Sequence, residues 1–151
     1  MIRKIKSSKL GPVRANKVTY DGIQFLSGLE CYMYKSLKKN NIAAEYEGKS
    51  YTLLPSFVFN HESYERQTNG KGDMINRGNK KIQPIKYTPD FVGDGFIIEC
   101  KGRANESFPI RWKLFKKYVI ENLEGVVLYK PQNQKECELV VNLIKENKNE
   151  K

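Results

Sequence analysis

Two short apolar runs separated by a tight turn constrain the fold of this chain more than any other feature. Residues 87–91 read Tyr-Thr-Pro-Asp-Phe, and residues 96–102 read Phe-Ile-Ile-Glu-Cys-Lys-Gly. Between them, the Gly-Asp-Gly of residues 93–95 has the composition of a hairpin turn. The sequence therefore predicts two adjacent antiparallel strands, which bring Asp90 close to Glu99.

The alternation of side chains along a strand places Glu99 and Lys101 on one face of the second run. An apolar row occupies the other face and consists of Phe96, Ile98 and Cys100. Two carboxylates that converge near an ammonium group can hold a hard divalent cation and position a water molecule. For each residue alone, a solvated strand face or ordinary turn chemistry is the alternative. The complete pattern predicts a catalytic site at Asp90, Glu99 and Lys101.

The same motifs resemble those of a nuclease superfamily. Pro89-Asp90 followed by Glu99-Cys-Lys101 looks like the PD-(D/E)XK signature. With Ser-Gly-Leu-Glu at residues 27–30, the pattern resembles the phage endonuclease I family, the Holliday-junction resolvases. Residues 18–25 together with the Pro-Asp motif also resemble a related, uncharacterised family of phage nucleases. The resemblance covers about residues 17–130 and implies an α/β fold, with a central mixed β-sheet flanked by helices in a restriction-endonuclease-like core.

The resemblance also implies roles for individual residues. Asp90 and Glu99, with the main-chain carbonyl of Cys100, would bind Mg²⁺ or Mn²⁺, and Lys101 would orient or deprotonate the attacking water. Glu30 would belong to the active site and help to bind a second metal ion. From its spacing alone, Glu30 is better explained as the capping-box partner of Ser27 at the start of a helix.

The overall charge favours a polyanionic partner. The chain has 27 lysines and arginines against 17 acidic residues, a formal charge of +10, which suits phosphate neutralisation on DNA. A basic protein without such a partner is the alternative. The single histidine, His61, excludes zinc sites that need several histidine ligands.

The cysteines and the hydropathy of the sequence predict the cellular compartment of the protein. The three cysteines lack the spacing of a zinc site and fit a reducing environment. No apolar run approaches the length needed to cross a membrane. We therefore expect a cytoplasmic protein without a membrane partner, which for a phage-encoded chain means the host cytoplasm.

The composition along the chain suggests one folded domain with flexible ends. Residues 1–16 form a basic N-terminal arm, residues 17–147 a single nuclease domain, and residues 148–151 a charged tail. Residues 60–83 are polar and rich in Gly, Asn and Lys, and they predict a long flexible insertion. This insertion is either disordered or in contact with DNA through Arg66, Lys71, Arg77, Lys80 and Lys81.

Helical periodicity marks three segments. The first helix begins near Gln24 or after Ser27 and ends at residues 39–41, the second spans about residues 109–122, and the last about residues 134–146. An apolar strand at residues 125–129 would join the sheet by a crossover through the second helix. We expect DNA contacts, rather than only a solvated basic face, from Arg103, Arg111, Lys113, Lys116 and Lys117.

Three functions fit these features. The first is a structure-selective endonuclease for branched DNA, which acts as a homodimer with exchanged segments, as the resemblance implies. The second is a nuclease of the same chemistry that acts on nicks, flaps or DNA ends. The third is a non-enzymatic DNA-binding protein.

Overall fold

A computed structural model describes residues 15–150 of the chain and confirms the predicted α/β class. Elements are numbered in chain order. The described residues form strands β1 (Val18–Tyr20), β2 (Ile23–Phe25), β3 (Ala44–Tyr46), β4 (Tyr51–Leu54), β5 (Phe57–Phe59), β6 (Tyr64–Glu65), β7 (Ile75–Asn76), β8 (Lys80–Ile82), β9 (Ile85–Tyr87), β10 (Phe91–Gly93), β11 (Phe96–Ile98) and β12 (Val127–Tyr129). The helices are α1 (Gly28–Lys39), α2 (Phe108–Asn122) and α3 (Gln134–Asn149).

The chain divides into two compact units. The described part of the first unit comprises residues 15–42, 100–102 and 131–150, and the second unit comprises residues 43–99 and 103–130. Apart from residues 15 and 16, the predicted basic arm lies outside the described residues. No helix in the described part of the chain combines the length and apolar character needed to cross a lipid bilayer.

A mixed four-stranded sheet forms the centre of the second unit, in the order β12-β11-β10-β3. Strand β10 pairs antiparallel with both β11 and β3, and β11 pairs parallel with β12. The predicted hairpin and the predicted crossover through α2 are therefore confirmed. The hairpin turn depends on glycine at two positions. Gly95 has a φ of 75°, and a Cβ on Gly93 would lie 2.1 Å from the Phe96 ring.

An aromatic core covers one face of this sheet. Helix α2 supplies Phe115, which is fully buried, and its ring centroid lies 4.6 Å from that of Tyr87 and 5.4 Å from that of Tyr51. Ile97 of β11 packs in the same cluster. Because Ile98 on the opposite face is also buried, β11 is covered on both faces. The sequence pattern predicted an apolar row on only one face, and the packing of α2 accounts for the difference.

The first unit contains the β1–β2 hairpin, α1 and α3. As predicted, Ser27 caps α1, and its side chain accepts a hydrogen bond from the Glu30 N–H. Helices α1 and α3 are joined by Tyr32, whose hydroxyl donates to Glu138 at 2.8 Å. Helix α3 continues to Asn149, three residues beyond the predicted end, so the first two residues of the predicted tail are helical.

Residues 60–83 differ from the predicted loop. Strand β5 pairs with β8 and β6 pairs with β7, both antiparallel. The Asn76 carboxamide oxygen accepts hydrogen bonds from the N–H groups of Ser63 and Gly78, which supports the irregular stretch between the two pairs. No residue from 52 to 86 is buried. Within residues 60–83 the strands are therefore paired through the main chain, and their sequence lacks the apolar alternation from which a strand is predicted.

The position of Phe115 predicts a large effect on stability. We expect Phe115→Ala to lower the free energy of unfolding by about 3–5 kcal/mol, because it removes a fully buried ring from the aromatic core. Ile120→Ala on the same helix is the control, since Ile120 is 86% exposed and should cost less than about 0.5 kcal/mol. Urea unfolding measures both values, and equal effects would contradict the assignment of the core.

Candidate active site

The open end of the β10–β11 hairpin brings two carboxylates together in the second unit. The outermost pair of the register joins Phe91 to Ile98. Asp90 and Glu99 are the next residues on the two strands, so the register sets them side by side. The proximity that the sequence predicted for Asp90 and Glu99 therefore follows from the antiparallel pairing.

Both acidic residues are buried and held by the backbone of neighbouring strands. Asp90 is 8% exposed and Glu99 is 5% exposed. The Glu99 N–H donates to the Tyr129 carbonyl at 2.9 Å, and the Asp90 carbonyl accepts from the Glu47 N–H at 2.8 Å. Burying a carboxylate is costly unless it is hydrogen-bonded or paired with a cation. The fold therefore buries two carboxylates, at a cost in free energy, at the same end of the β10–β11 hairpin.

Tyr87 contacts one of the two carboxylates directly. Its buried hydroxyl donates to Glu99 Oε2 at 2.7 Å. Burial raises the pKa of Tyr87, and the charge and hydrogen bond of Glu99, followed by the charge of Asp90, raise it further. Tyr87 consequently stays a neutral phenol that donates to the carboxylate. The sequence analysis gave it no role, although an aromatic residue with a polar tip just before Pro89-Asp90 is the signal that could have suggested one.

Arg111 lies next to this tyrosine. Its Nη2 donates to the Lys86 carbonyl at 2.7 Å, and the guanidinium carbon lies 5.8 Å from the Tyr87 ring centroid. Its positive charge opposes the rise in the Tyr87 pKa. One of the predicted DNA contacts is therefore an exposed cation next to the tyrosine that donates to Glu99.

The other predicted DNA contacts are also exposed. Arg103 lies in the loop before α2, and Lys113 lies on that helix. Lys116 Nζ is 6.0 Å from the Trp112 ring centroid, and Lys117 forms a salt bridge of 3.6 Å with Glu121. Their exposure is compatible with a DNA backbone, and their role stays a prediction.

Glu30 belongs to the first unit, at the start of α1, and it is 6% exposed. Its carboxylate accepts hydrogen bonds from the Ser27 hydroxyl at 2.8 Å and from the Leu26 N–H at 3.1 Å. In return, Ser27 Oγ accepts from the Glu30 N–H at 3.2 Å. Ser27 and Glu30 are therefore reciprocal partners at the start of α1, as the spacing predicted, although the carboxylate accepts from the N–H of Leu26 where a capping box uses the N–H of the N-cap residue. The second role predicted for Glu30, in metal binding, stays a prediction.

Cys100 and Lys101 also belong to the first unit. The Cys100 side chain is buried, as its place in the apolar row predicted, and it forms no disulfide within residues 15–150. Lys101 is half-buried, and its N–H donates to the Pro131 carbonyl at 3.0 Å. The metal-binding carbonyl of Cys100 and the water-orienting role of Lys101 stay predictions.

The carboxylate pair suits some metal ions better than others. Among the described residues, no three His, Cys, Asp or Glu side chains are grouped to hold a metal ion. A structural or catalytic zinc site needs three or four such ligands. Magnesium is commonly held by one or two carboxylates and keeps several water molecules. The donor set of Asp90 and Glu99 therefore fits Mg²⁺ or Mn²⁺ and does not fit zinc.

Comparison with known proteins identifies the family. A family model described as "Protein of unknown function (DUF1064)" matches residues 10–135. The chain belongs to the DUF1064 family. The matched range includes the carboxylate pair, Tyr87 and Arg111. No curated protein and no solved structure shows significant similarity to the chain.

The hydrogen bond between Tyr87 and Glu99 can be tested through stability. We expect Tyr87→Phe to lower the free energy of unfolding by about 1–3 kcal/mol, because the buried carboxylate loses a donor while the ring stays in place. Tyr118→Phe is the control. Tyr118 packs on the same Phe115, and its hydroxyl has no hydrogen-bond partner among residues 15–150. Urea unfolding compares the two, and an equal change would show that the hydrogen bond adds no stability.

Proposed function

We propose that this DUF1064 protein is a divalent-metal-dependent DNA endonuclease that hydrolyses phosphodiester bonds. The observation that carries the proposal is the pair of buried carboxylates, Asp90 and Glu99, set side by side at the end of one hairpin. The exposed guanidinium of Arg111 lies 5.8 Å from the ring of Tyr87, whose hydroxyl donates to Glu99. Buried acids next to an exposed cation suit a site that binds a metal ion and then an anionic substrate.

Asp90 and Glu99 would hold Mg²⁺ or Mn²⁺, together with the Cys100 carbonyl that the resemblance adds. When bound, such an ion neutralises a phosphate oxygen and lowers the pKa of a water molecule. Tyr87 keeps the Glu99 carboxylate in one orientation through its hydrogen bond. Arg111 offers positive charge to the phosphate that reaches the pair.

Two further roles rest on the resemblance to the PD-(D/E)XK nucleases. Lys101, two residues after Glu99, would orient or deprotonate the attacking water and stabilise charge that develops on the phosphate. Glu30 would contribute to a second metal position. General acid–base groups of this kind typically contribute about 10²–10⁴-fold to a rate.

DNA is the proposed substrate because the formal charge of +10 favours a polyanion. The exposed cations proposed to bind its backbone are Arg103, Arg111, Lys113, Lys116 and Lys117. The resemblance to the resolvases further suggests branched DNA, a homodimer with exchanged segments, and action in the cytoplasm of a phage-infected cell.

The first experiment compares a four-way junction, a flap and a linear duplex of the same sequence, each incubated with the protein and Mg²⁺ or Mn²⁺. Glu99→Ala is the control, and we expect it to abolish cleavage. Symmetric cuts confined to the junction support a resolvase, whereas equal cutting of all three substrates supports a nuclease of broader substrate range. Binding without any cutting would leave a non-enzymatic DNA-binding protein and overturn the proposal.

A second prediction separates chemistry from binding at Lys101. We expect Lys101→Ala to reduce the cleavage rate by about 10²-fold or more, with little change in DNA affinity measured with Ca²⁺ in place of Mg²⁺. Lys135→Ala is the matched control, because it removes one exposed lysine from α3, which is assigned neither to the site nor to DNA contact, and it should retain most of the cleavage rate. Strong cleavage by the Lys101 variant would contradict its proposed role.

A further inference from the structure

A two-stranded ribbon begins at the candidate active site. Strands β4 and β9, β5 and β8, and β6 and β7 pair in succession. Residues 51–87 therefore form one antiparallel ribbon, and a turn at residues 67–70 closes its far end. At its near end, Tyr51 pairs with Tyr87. Since the Tyr87 hydroxyl donates to Glu99, the ribbon is anchored directly at the carboxylate pair.

Charge is distributed unevenly along this ribbon. The near half, residues 51–61 and 78–87, contains no carboxylate, and its charged residues are Lys80, Lys81 and Lys86. The far half, residues 62–77, has equal numbers of basic and acidic residues, namely Arg66, Lys71 and Arg77 against Glu62, Glu65 and Asp73. The excess positive charge of the ribbon therefore lies entirely in the half that adjoins the site.

The three lysines of the near half are available to a partner. All three are exposed, and no salt bridge involving them occurs within residues 15–150. Lys80 pairs across the ribbon with Phe59, and Lys81 pairs with Val58. Because adjacent strand residues point to opposite faces, the ribbon presents positive charge on both of its faces.

Arg111 extends this charge to the site itself. Its Nη2 donates to the Lys86 carbonyl, and its guanidinium lies over the Tyr87 ring. From Lys86 to Lys80 the chain covers about 20 Å at the usual rise of about 3.3 Å per strand residue. Exposed cations therefore continue from Tyr87, which contacts Glu99, along the near half of the ribbon.

We infer that this basic edge, consisting of Lys80, Lys81, Lys86 and Arg111, binds the phosphate backbone of the DNA that leads away from the cleavage position. The inference rests on the proposed function and deepens it. A line of cations without internal carboxylate partners complements a polymer whose negative charges repeat along its length. A two-stranded ribbon also fits within the DNA major groove, where phosphates lie on both sides.

The basic edge supplies affinity and register, and it does not read sequence. Lysine contacts to phosphates position a protein on DNA without distinguishing bases. The edge therefore predicts DNA binding that is strongly salt-dependent and similar for different sequences. It also predicts that an arm of substrate DNA must extend alongside the ribbon during cleavage.

The test is a triple variant, Lys80→Gln with Lys81→Gln and Lys86→Gln. Its matched control replaces Lys135, Lys145 and Lys148 of α3 by glutamine, which removes the same charge from another exposed surface. The dissociation constant for a labelled DNA duplex is measured at several salt concentrations, with Ca²⁺ in place of Mg²⁺. Thermal melting and sedimentation of each variant confirm its fold and its mass.

Each phosphate contact contributes about 0.9 to the slope of log affinity against log salt. We expect the magnitude of this slope to fall by about 2–3 in the ribbon variant. In the α3 control we expect it to fall by less than about 1. Equal slopes for the two variants, with wild-type binding intact, would overturn this inference and leave the proposed nuclease function standing. A change in mass without a change in slope would instead identify the edge as a protein contact and overturn the inference. Failure of the wild-type protein to bind DNA would overturn the inference and the proposed function together.

Discussion

The burial of the Glu99 carboxylate is the constraint on which the second unit depends. A charged group with 5% exposure must have hydrogen-bond donors, and Tyr87 supplies one at 2.7 Å. Tyr87 can do so because its own ring is held by Phe115 and Trp112 of α2. Helix α2 therefore forms the apolar core and also holds Tyr87, the donor that orients Glu99. The geometry of the site consequently depends on the packing of the core.

This arrangement explains why the hairpin has so little freedom. Strand β11 is covered on both faces, and Gly93 leaves room for the Phe96 ring. A shift of register by one residue would exchange the two faces of β11 and would move Glu99 away from Tyr87. The same interactions that stabilise the sheet therefore also hold Asp90 and Glu99 together.

Sequence reasoning succeeded where the decisive interactions are local. The turn at Gly95 and the cap at Ser27 each depend on residues close together in the chain. The crossover through α2 was predictable from the order of strand, helix and strand. It failed where the structure is determined by packing or pairing between segments that are distant in the chain. The donor role of Tyr87 depends on how β9 and β11 come together, and the ribbon at residues 60–83 has main-chain pairing without buried side chains. Such pairing leaves no apolar period in the sequence.

The carboxylate pair is also difficult to explain as a purely structural feature. Two acids buried at neighbouring positions lose hydration, and the charges of both act on Tyr87 in the same direction. An apolar pair of similar size would stabilise the corner of the sheet at least as well. An exposed arginine and a ribbon half that carries only positive charge adjoin the same corner. Acids that are costly to bury, near basic residues that form no salt bridge within residues 15–150, are the features on which the proposed binding of a metal ion and a polyanion rests.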